Sequence, residues 1–361
     1  MAEEWVRVKI DDLFDVVTNV FKKLGVPGED AEIIADVLIA ADRRGISSHG
    51  VARLRRYVNG IKQGVMKART EITYVKETPV SLVVDGGGGM GQVVAYRTMK
   101  KCIQKARENF ICLATIRNSN HYGIAGYYSM MALKEGLIGL SMTNAAPLVI
   151  PTFGKDAVLG TNPISVAVPS REERPYVLDM ATSTVPRGKL EVYNRMGKKI
   201  PLMWATDENG IPTDDPARVL KNLLERRGGG LLPLGGADEL TGGHKGYGLA
   251  LLVDIFSGVF SSGAWGTRVY GRKGEPAGVS HFLGAISPEA FVGLEEISSN
   301  MDDLIRMVKG APKAPGKDRI YIHGEKEFEK EEENREEVPL YHKVYEDIRE
   351  ISSDLGVPFK I

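Results

Sequence analysis

Four stretches hold residues whose types and spacing suit chemistry. The first is ADRRGISSHGVARLRRYV, residues 41–58. Gly45 ends one helix, Ser47 or Ser48 suits an N-cap, and His49 then falls in the first turn of a new helix. Arg53 follows four residues later, on the same face. The positive end of a helix dipole disfavours an imidazolium, so His49 is expected to be neutral and able to accept a proton. Arg53 presents a planar fork that matches a carboxylate. A base beside a carboxylate clamp is what oxidation or reduction of a 2-hydroxy acid needs. Taken alone, though, the stretch is explained better as a capped helix with a surface histidine and arginine.

The second stretch, RNSNHYGIAGYY (117–128), repeats the arrangement: Ser119 or Asn120 caps a helix whose first turn holds His121. The third joins GTNPISVAVP (160–169) to VLDMATS (177–183). Thr161 and Asn162 precede one strand, and Asp179 lies inside the next. An aspartate in an apolar strand is costly unless paired. It could orient an imidazole, or it could simply cap a turn. Ala181, Thr182 and Ser183 are small, so backbone there can approach a ligand. Arg187 and Lys189 then open a helix, a position where phosphates bind readily. In the fourth, GGHKGYG (242–248), His244 and Lys245 open an apolar helix between glycines. A solvated lysine at a loop–helix junction would look the same.

A fifth motif competes with these. DGGGGMGQ (85–92) satisfies G-x-G-x-x-G after a strand and before a helix, the setting of a dinucleotide fingerprint. The next strand should then end in an acid, but it ends Ile116-Arg117-Asn118. An arginine there suits a 2′-phosphate, and four successive glycines meet the pattern almost automatically. The histidines at 49, 121, 244, 281, 323 and 342 show no ligand spacing, so no metal site is expected.

These residues must be positioned by a mixed set of elements. Apolar periodicity predicts helices over 10–24, 30–44 and from His49 to about 63. Strands are expected at 79–86, 111–118, 137–144, 163–170, 175–182 and 318–324. Helices are expected at 91–109, 119–136, 186–197, 288–309 and about 340–353, with a buried one at 244–260. Residues 205–243 read as a turn-rich rim, and 325–337 as a charged helix or linker. The division expected is a helical lobe (1–75), an α/β cofactor- and substrate-binding lobe (76–225) and a C-terminal part (226–361) that packs back on the first.

The 361 residues carry 47 basic and 47 acidic side chains, a balance that argues against a nucleic-acid partner. There is no apolar run of membrane-spanning length and no signal-type start, so a soluble, cytoplasmic protein is expected. Two cysteines, Cys102 and Cys112, give no disulfide framework. Glutamine occurs only at 63, 92 and 104 while Glu and Lys abound, a bias like that of thermophile proteins.

Taken in order, SSHGVARL, NSNHYG, GTNPISVAVP, VLDMATS, PRGK and GHKGYGLALLVDI resemble the type-2 malate/L-lactate dehydrogenase family over about residues 8–320. That family includes sulfolactate, ureidoglycolate and diketogulonate dehydrogenases and cyclic ketimine reductases; the sequence looks most like its archaeal malate dehydrogenase branch. The resemblance implies a non-Rossmann α/β fold, a helical lobe plus a mixed-sheet cofactor-binding lobe. It implies a homodimer that uses NAD or NADP, and it makes the glycine run a structural turn. By matching position, His49, His121 and Asp179 are the expected catalytic residues. Ser48, Arg53 and Thr161 are expected around the substrate carboxylate. The cofactor contacts implied are His121, Asp179, Met180, Ala181, Thr182, Ser183, Arg187, Lys189, His244 and Lys245, with Gly316, Lys317 and Asp318 as a loosely matched late loop. The activity implied is hydride transfer between nicotinamide and C2 of a 2-hydroxy acid, malate first. A ketimine reductase on the same scaffold, and a Rossmann-type nucleotide-binding module without redox chemistry, are the alternatives.

Overall fold

The computed structural model describes residues 5–272 and 274–361. The chain begins with β1 (Trp5–Lys9), α1 (Ile10–Lys23), α2 (Gly28–Arg43) and α3 (Leu54–Lys62). It continues through β2 (Thr73–Glu77), β3 (Ser81–Asp85), α4 (Gly91–Asn109), β4 (Ile111–Ser119), α5 (Ala125–Leu133), β5 (Ile138–Thr143), β6 (Ile164–Val168) and β7 (Tyr176–Met180). Next come α6 (Arg187–Arg195), β8 (Ala205–Thr206), α7 (Pro216–Glu225), β9 (Gly230–Leu231), α8 (Gly243–Asp254) and β10 (Val279–Ile286). The last elements are α9 (Leu294–Lys309), α10 (Glu325–Glu333), β11 (Glu337–Tyr341) and α11 (His342–Leu355).

The periodic apolar positions of the first helices do what their spacing demands. Leu13, Val16, Val17, Val20 and Phe21 of α1 pack with Ile34 and Leu38 of α2 and Leu54, Tyr57 and Val58 of α3. Each large side chain so buried contributes about 1.5–3 kcal/mol. The same core takes in Val338 and Leu340 of β11 and Ile348 and Ile351 of α11. β1 and β11 pair antiparallel from Trp5↔Tyr341 to Lys9↔Glu337, so the two ends of the chain close one unit.

The main sheet runs β2-β3-β4-β10-β5-β6-β7. Only the β3–β4 neighbours are parallel, joined over α4; the other neighbours are antiparallel. This is a mixed sheet and not the doubly wound parallel sheet that a dinucleotide fingerprint requires. The strand at its centre, β10, lies in a segment given no element from the sequence. VSHFLGAI is buried nearly throughout and shows no alternation, so its pattern names no face.

Two further expectations change. DRIYIHG (318–324) is no strand of a sheet; the Val177 N–H donates to the His323 carbonyl at 3.1 Å, and the chain turns at 323–324 into α10. The 205–243 segment is not merely a rim, since Asp215 caps α7 by accepting from the Arg218 N–H. Among the described residues, no helix is long and apolar enough to cross a membrane, and no group of three or more metal-ligating side chains is present.

Candidate active site

The site forms where the α2–α3 connection meets the β4–α5 loop. Residues 47–53 are not the first turn of an α-helix. They make two 3-10 turns, Ser47–His49 and Val51–Arg53, and α3 begins only at Leu54. The cause lies beneath them. Asp42 is buried at the end of α2, and its Oδ2 accepts the Val51 N–H at 2.8 Å, diverting that donor from a helical ladder. Gly50 rests on the same carboxyl so closely that a Cβ there would lie 2.1 Å from Oδ1. Neither serine caps the backbone. Instead the Ser48 hydroxyl meets His49 Nδ1 at 2.9 Å, and Arg53 Nε donates to the Ser48 carbonyl at 2.6 Å.

His121 also lies outside any helix. Ser119 ends β4 and Asn120 opens a loop, with α5 starting at Ala125 after Ile124. Gly123, at φ +88°, turns the chain in a way that α-helix geometry forbids. The glycine run is the loop's anchor. Asn120 Nδ2 donates to the carbonyls of Gly88 (3.0 Å) and Gly89 (2.8 Å), and the Gly88 N–H donates to the Asn118 carbonyl at 2.7 Å. Gly91 opens α4 against this loop; a Cβ there would lie 2.1 Å from the Asn120 oxygen and 2.6 Å from that of His121. The N-terminus of α4 is therefore filled by the protein's own backbone. No pyrophosphate fits there, and the glycine run is the structural turn that the resemblance implied.

The two loops bring the histidines together. Their rings stack with centroids 5.5 Å apart and planes 22° from parallel. Tyr57, fully buried on α3, places its hydroxyl 2.6 Å from His121 Nδ1, and the Gly123 N–H donates to the same nitrogen at 3.4 Å. Enclosure and the guanidinium charges of Arg53 and Arg56 hold His49 down, to about 4. Enclosure first, then Arg56, also lowers His121. Both imidazoles are thus neutral near pH 7, as a proton acceptor must be, and the cause is burial and cations more than a helix dipole.

Arg56, Tyr57 and Tyr270 carry parts of this site that the sequence reading omitted. The helical spacing from Arg53 to residues 56 and 57 was the available signal. Nothing local marks Tyr270, which comes from the loop before β10. Arg55, between Arg53 and Arg56 in the chain, faces α11 and pairs there with Asp347 (3.0 Å) and Glu350 (2.8 Å), so it is not free for a substrate anion.

Asp179 does not orient an imidazole. It accepts the Gly126 N–H at 2.7 Å, at the start of α5, while both histidines bond elsewhere. It lines a cleft of about 260 Å³ with Arg44, Ile46, Tyr321, His323 and Lys326. Crowding by protein raises its carboxyl to about 6, against the Gly126 N–H and the Arg44 charge. Residues 321–324 line this cleft. Gly316, Lys317 and Asp318 lie just before them on an exposed turn.

Beyond Met180 and Ala181 the chain is held on two sides. Thr182 donates its N–H to the Thr161 carbonyl (2.9 Å), and Leu234 donates to the Thr182 carbonyl (2.9 Å). Ser183 bridges to Pro233. Gly246 of α8 packs on Leu234, where a Cβ would lie 2.2 Å from its carbonyl oxygen. The 182–184 segment and the start of α8, with His244 and Lys245 exposed, are thereby neighbours. Arg187 opens α6 and pairs with Glu191 at 3.0 Å; Lys189 is exposed two residues on. α8 itself is not buried all round: Leu252, Ile255, Val259 and Phe260 are 37–56% exposed along α8 and the π-turn that follows it.

The family model described as Malate/L-lactate dehydrogenase matches residues 8–349. The chain belongs to this family. Malate dehydrogenase of Pyrococcus abyssi is 49% identical over 356 residues, 98% of this chain and 96% of that one. The solved malate dehydrogenase of Pyrococcus horikoshii superposes with a TM-score of 0.88 at 46% identity, covering 98% of this chain and 97% of the other. That of Entamoeba histolytica gives 0.94 at 38% identity, covering 99% and 100%. The protein is a nicotinamide-dependent 2-hydroxy acid dehydrogenase, which moves a hydride between the cofactor and C2 of a small substrate. The fold read from the sequence, α/β with a helical lobe and a mixed sheet, is the fold of these relatives.

Proposed function

We propose that this dehydrogenase interconverts malate and oxaloacetate with NAD or NADP, as a homodimer. The observation that carries the reading is the stacked pair of neutral histidines beside Arg53, in a chain whose nearly full-length relatives are described as malate dehydrogenases. Arg53 grips the C1 carboxylate, and its anchor on the Ser48 carbonyl fixes the substrate next to His49.

The histidines divide the work by tautomer. A backbone N–H can only donate, so the Gly123 N–H makes His121 Nδ1 an acceptor, and the Tyr57 hydroxyl donates to the same atom. The neutral His121 ring then carries its proton on Nε2 and offers it to the C2 oxygen. The Ser48 hydroxyl can take either role toward His49 Nδ1; in the tautomer that donates Nδ1–H to it, the Nε2 lone pair of His49 is left for the substrate proton. In malate oxidation the C2 hydroxyl proton passes to His49 as the hydride leaves C2. General base help of this kind contributes about 10²–10⁴-fold. Asp179, which from the sequence belonged to this network, faces the neighbouring cleft and serves the cofactor.

The bound cofactor supplies the hydride acceptor at its nicotinamide C4. The residues present fit such a group: among the described residues Lys245 and Lys189 have no carboxylate partner, so both are available to a diphosphate. Thr182 and Ser183, buried behind the start of α8, offer backbone and not hydroxyls to such a group, and Arg187 and His244 lie at the starts of α6 and α8; Asp179 lines the neighbouring cleft, with Met180 and Ala181 following it in the chain. The exposed apolar stripe Leu252, Ile255, Val259 and Phe260 supports the homodimer.

Steady-state assay of oxaloacetate, pyruvate, sulfopyruvate and a cyclic imine acid, each with NADH and with NADPH, tests the reading. Oxaloacetate is expected to give the highest kcat/KM. Turnover of the imine with oxaloacetate ignored would make the enzyme a ketimine reductase.

A further inference from the structure

The start of α3 and the 3-10 turn before it carry two guanidinium groups toward one place. Arg53 closes the second 3-10 turn, and Arg56 follows three residues on, so both lie on one helical face with Tyr57. Arg55 between them points away and is neutralised by α11. Among the described residues no carboxylate pairs with Arg53 or Arg56. Two partly buried cations without a paired carboxylate, side by side, are unfavourable in the empty site; Glu191 acts on Arg53 only from a distance and is itself paired with Arg187, so an anion entering the site removes most of that cost.

Arg56 is also held in place. Its Nη2 donates to the Tyr270 hydroxyl, and its guanidinium lies 5.4 Å from the Tyr270 ring centroid. Tyr270 itself sits at φ +54°, a left-handed conformation that a bulky aromatic residue rarely adopts. Such strain persists where surrounding structure over-determines it, and it gathers at ligand sites. The Arg226 guanidinium fixes that backbone by donating to the Tyr270 carbonyl at 2.9 Å and the Gly271 carbonyl at 3.2 Å.

We propose that Arg56, braced by Tyr270, binds the anionic group on C3 of the substrate and so selects a dianionic acid over a monocarboxylate. The inference rests on the malate reading and deepens it: Arg53 takes the C1 carboxylate, common to all 2-oxo acids, and Arg56 takes the group that distinguishes oxaloacetate from pyruvate. A sulfonate on C3 offers the same charge and oxygen geometry as the carboxylate, and the substrate panel separates the two. Tyr270 is a positioning residue, acting through Arg56.

The test uses the full-length enzyme and its Arg56→Gln, Arg56→Lys and Tyr270→Phe variants. The quantity read is the ratio of kcat/KM for oxaloacetate to that for pyruvate, and the same ratio for sulfopyruvate. A hydrogen-bonded charge pair accounts for about 10–100-fold in such a ratio. Arg56→Gln is expected to lower the oxaloacetate ratio by that much, mainly through KM. Arg56→Lys should recover part of the loss, because it restores charge without the planar fork. Tyr270→Phe should lower the ratio less, and only for the dianionic acids. A ratio within threefold of wild type in Arg56→Gln overturns the proposal. So does a parallel loss for pyruvate and oxaloacetate, which would mark Arg56 as structural. If Arg56→Gln does not fold, a wild-type ratio in both Arg56→Lys and Tyr270→Phe overturns it equally. A wild-type enzyme that does not prefer oxaloacetate to pyruvate would sink the malate reading instead, whatever the variants do.

Discussion

The His49 and His121 rings face each other at 5.5 Å, with Arg56 depressing the proton affinity of both. Neither imidazole can gain a proton without opposing charge on the other or on the arginines. Because the His49 pKa is lowered to about 4, the proton-accepting form is complete above pH 5 and is lost only as pH falls through that value. The free-enzyme kcat/KM for malate oxidation is therefore expected to stay level from about pH 5.5 to 8, with no limb near the ordinary histidine value of about 6.5. Arg56→Gln should move the acid limb upward by removing one depressing charge. A wild-type limb near 6.5, unmoved in the variant, would show that the cations do not govern the base.

Anion binding should reverse that depression. When a dianion neutralises Arg53 and Arg56, the nearby histidines become easier to protonate, so binding and proton uptake are linked. Succinate, a four-carbon dicarboxylate with no hydroxyl to oxidise, should bind with uptake of a proton and more weakly as pH rises from 6 to 8. Calorimetry in two buffers of different ionisation enthalpy measures the uptake. Equal apparent enthalpies in both buffers would leave the coupling without support.

His49 and His121 can also be told apart. If His49 takes the proton and His121 donates a hydrogen bond, His49→Ala should lower kcat by about 10²–10⁴-fold. His121→Ala should lose less, and it should keep the acid limb that His49→Ala removes. Near-wild-type kcat in His49→Ala transfers the base role to His121.

The glycine run makes a separable prediction. Gly88 sits at φ +78°, where an alanine costs about 1–2 kcal/mol. Gly88→Ala should lower thermal stability and disturb the His121 loop through the Asn118 and Asn120 bonds, with NADH affinity nearly unchanged. Lys245→Ala should do the reverse. Titration of NADH fluorescence decides; loss of binding in Gly88→Ala with retention in Lys245→Ala would restore the fingerprint reading.

How much of this was legible depended on range. The helices at 10–24, 30–44 and 91–109 came from periodicity, because one face of each meets a core and the other water. The six motifs carried the family because their residue types are specific and their order is linear. What periodicity could not show was contact between distant segments. β10 has no alternating face, so its place between β4 and β5 left no mark. Ser48, Ser119 and Asn120 all look like helix caps, yet other partners take them: Ser48 meets the neighbouring His49 ring, Asn120 is claimed by Gly88 and Gly89, and Ser119 by His281 at 2.8 Å. Arg56 was visible as a neighbour of Arg53, but its lack of a counter-ion and its Tyr270 brace are facts of three dimensions.

Asp42 links the fold to the chemistry and gives the last prediction. Its carboxyl holds the His49 turn through the Val51 N–H, and its Oδ1 has no hydrogen-bond partner among the described residues. Burial raises its pKa to about 8, against the single Val51 bond that lowers it. The sign follows from the unfolded chain, where an aspartate ionises near 3.9. Below about pH 4 both states are protonated and Asp42 imposes no penalty. As pH rises toward 8 the unfolded state ionises while the folded state resists, so stability falls through that window and levels off above it. Asp42→Asn keeps the acceptor for Val51 and cannot ionise. Its melting temperature relative to wild type should therefore rise steadily between pH 5 and 8, with His49 still in place and kcat retained. Asp42→Ala should instead leave the Val51 N–H unpaired beneath Gly50, costing about 1–3 kcal/mol and lowering kcat as the His49 turn loosens. A pH-independent difference between wild type and Asp42→Asn would mean that Asp42 is ionised in the folded enzyme and finds a partner for its charge.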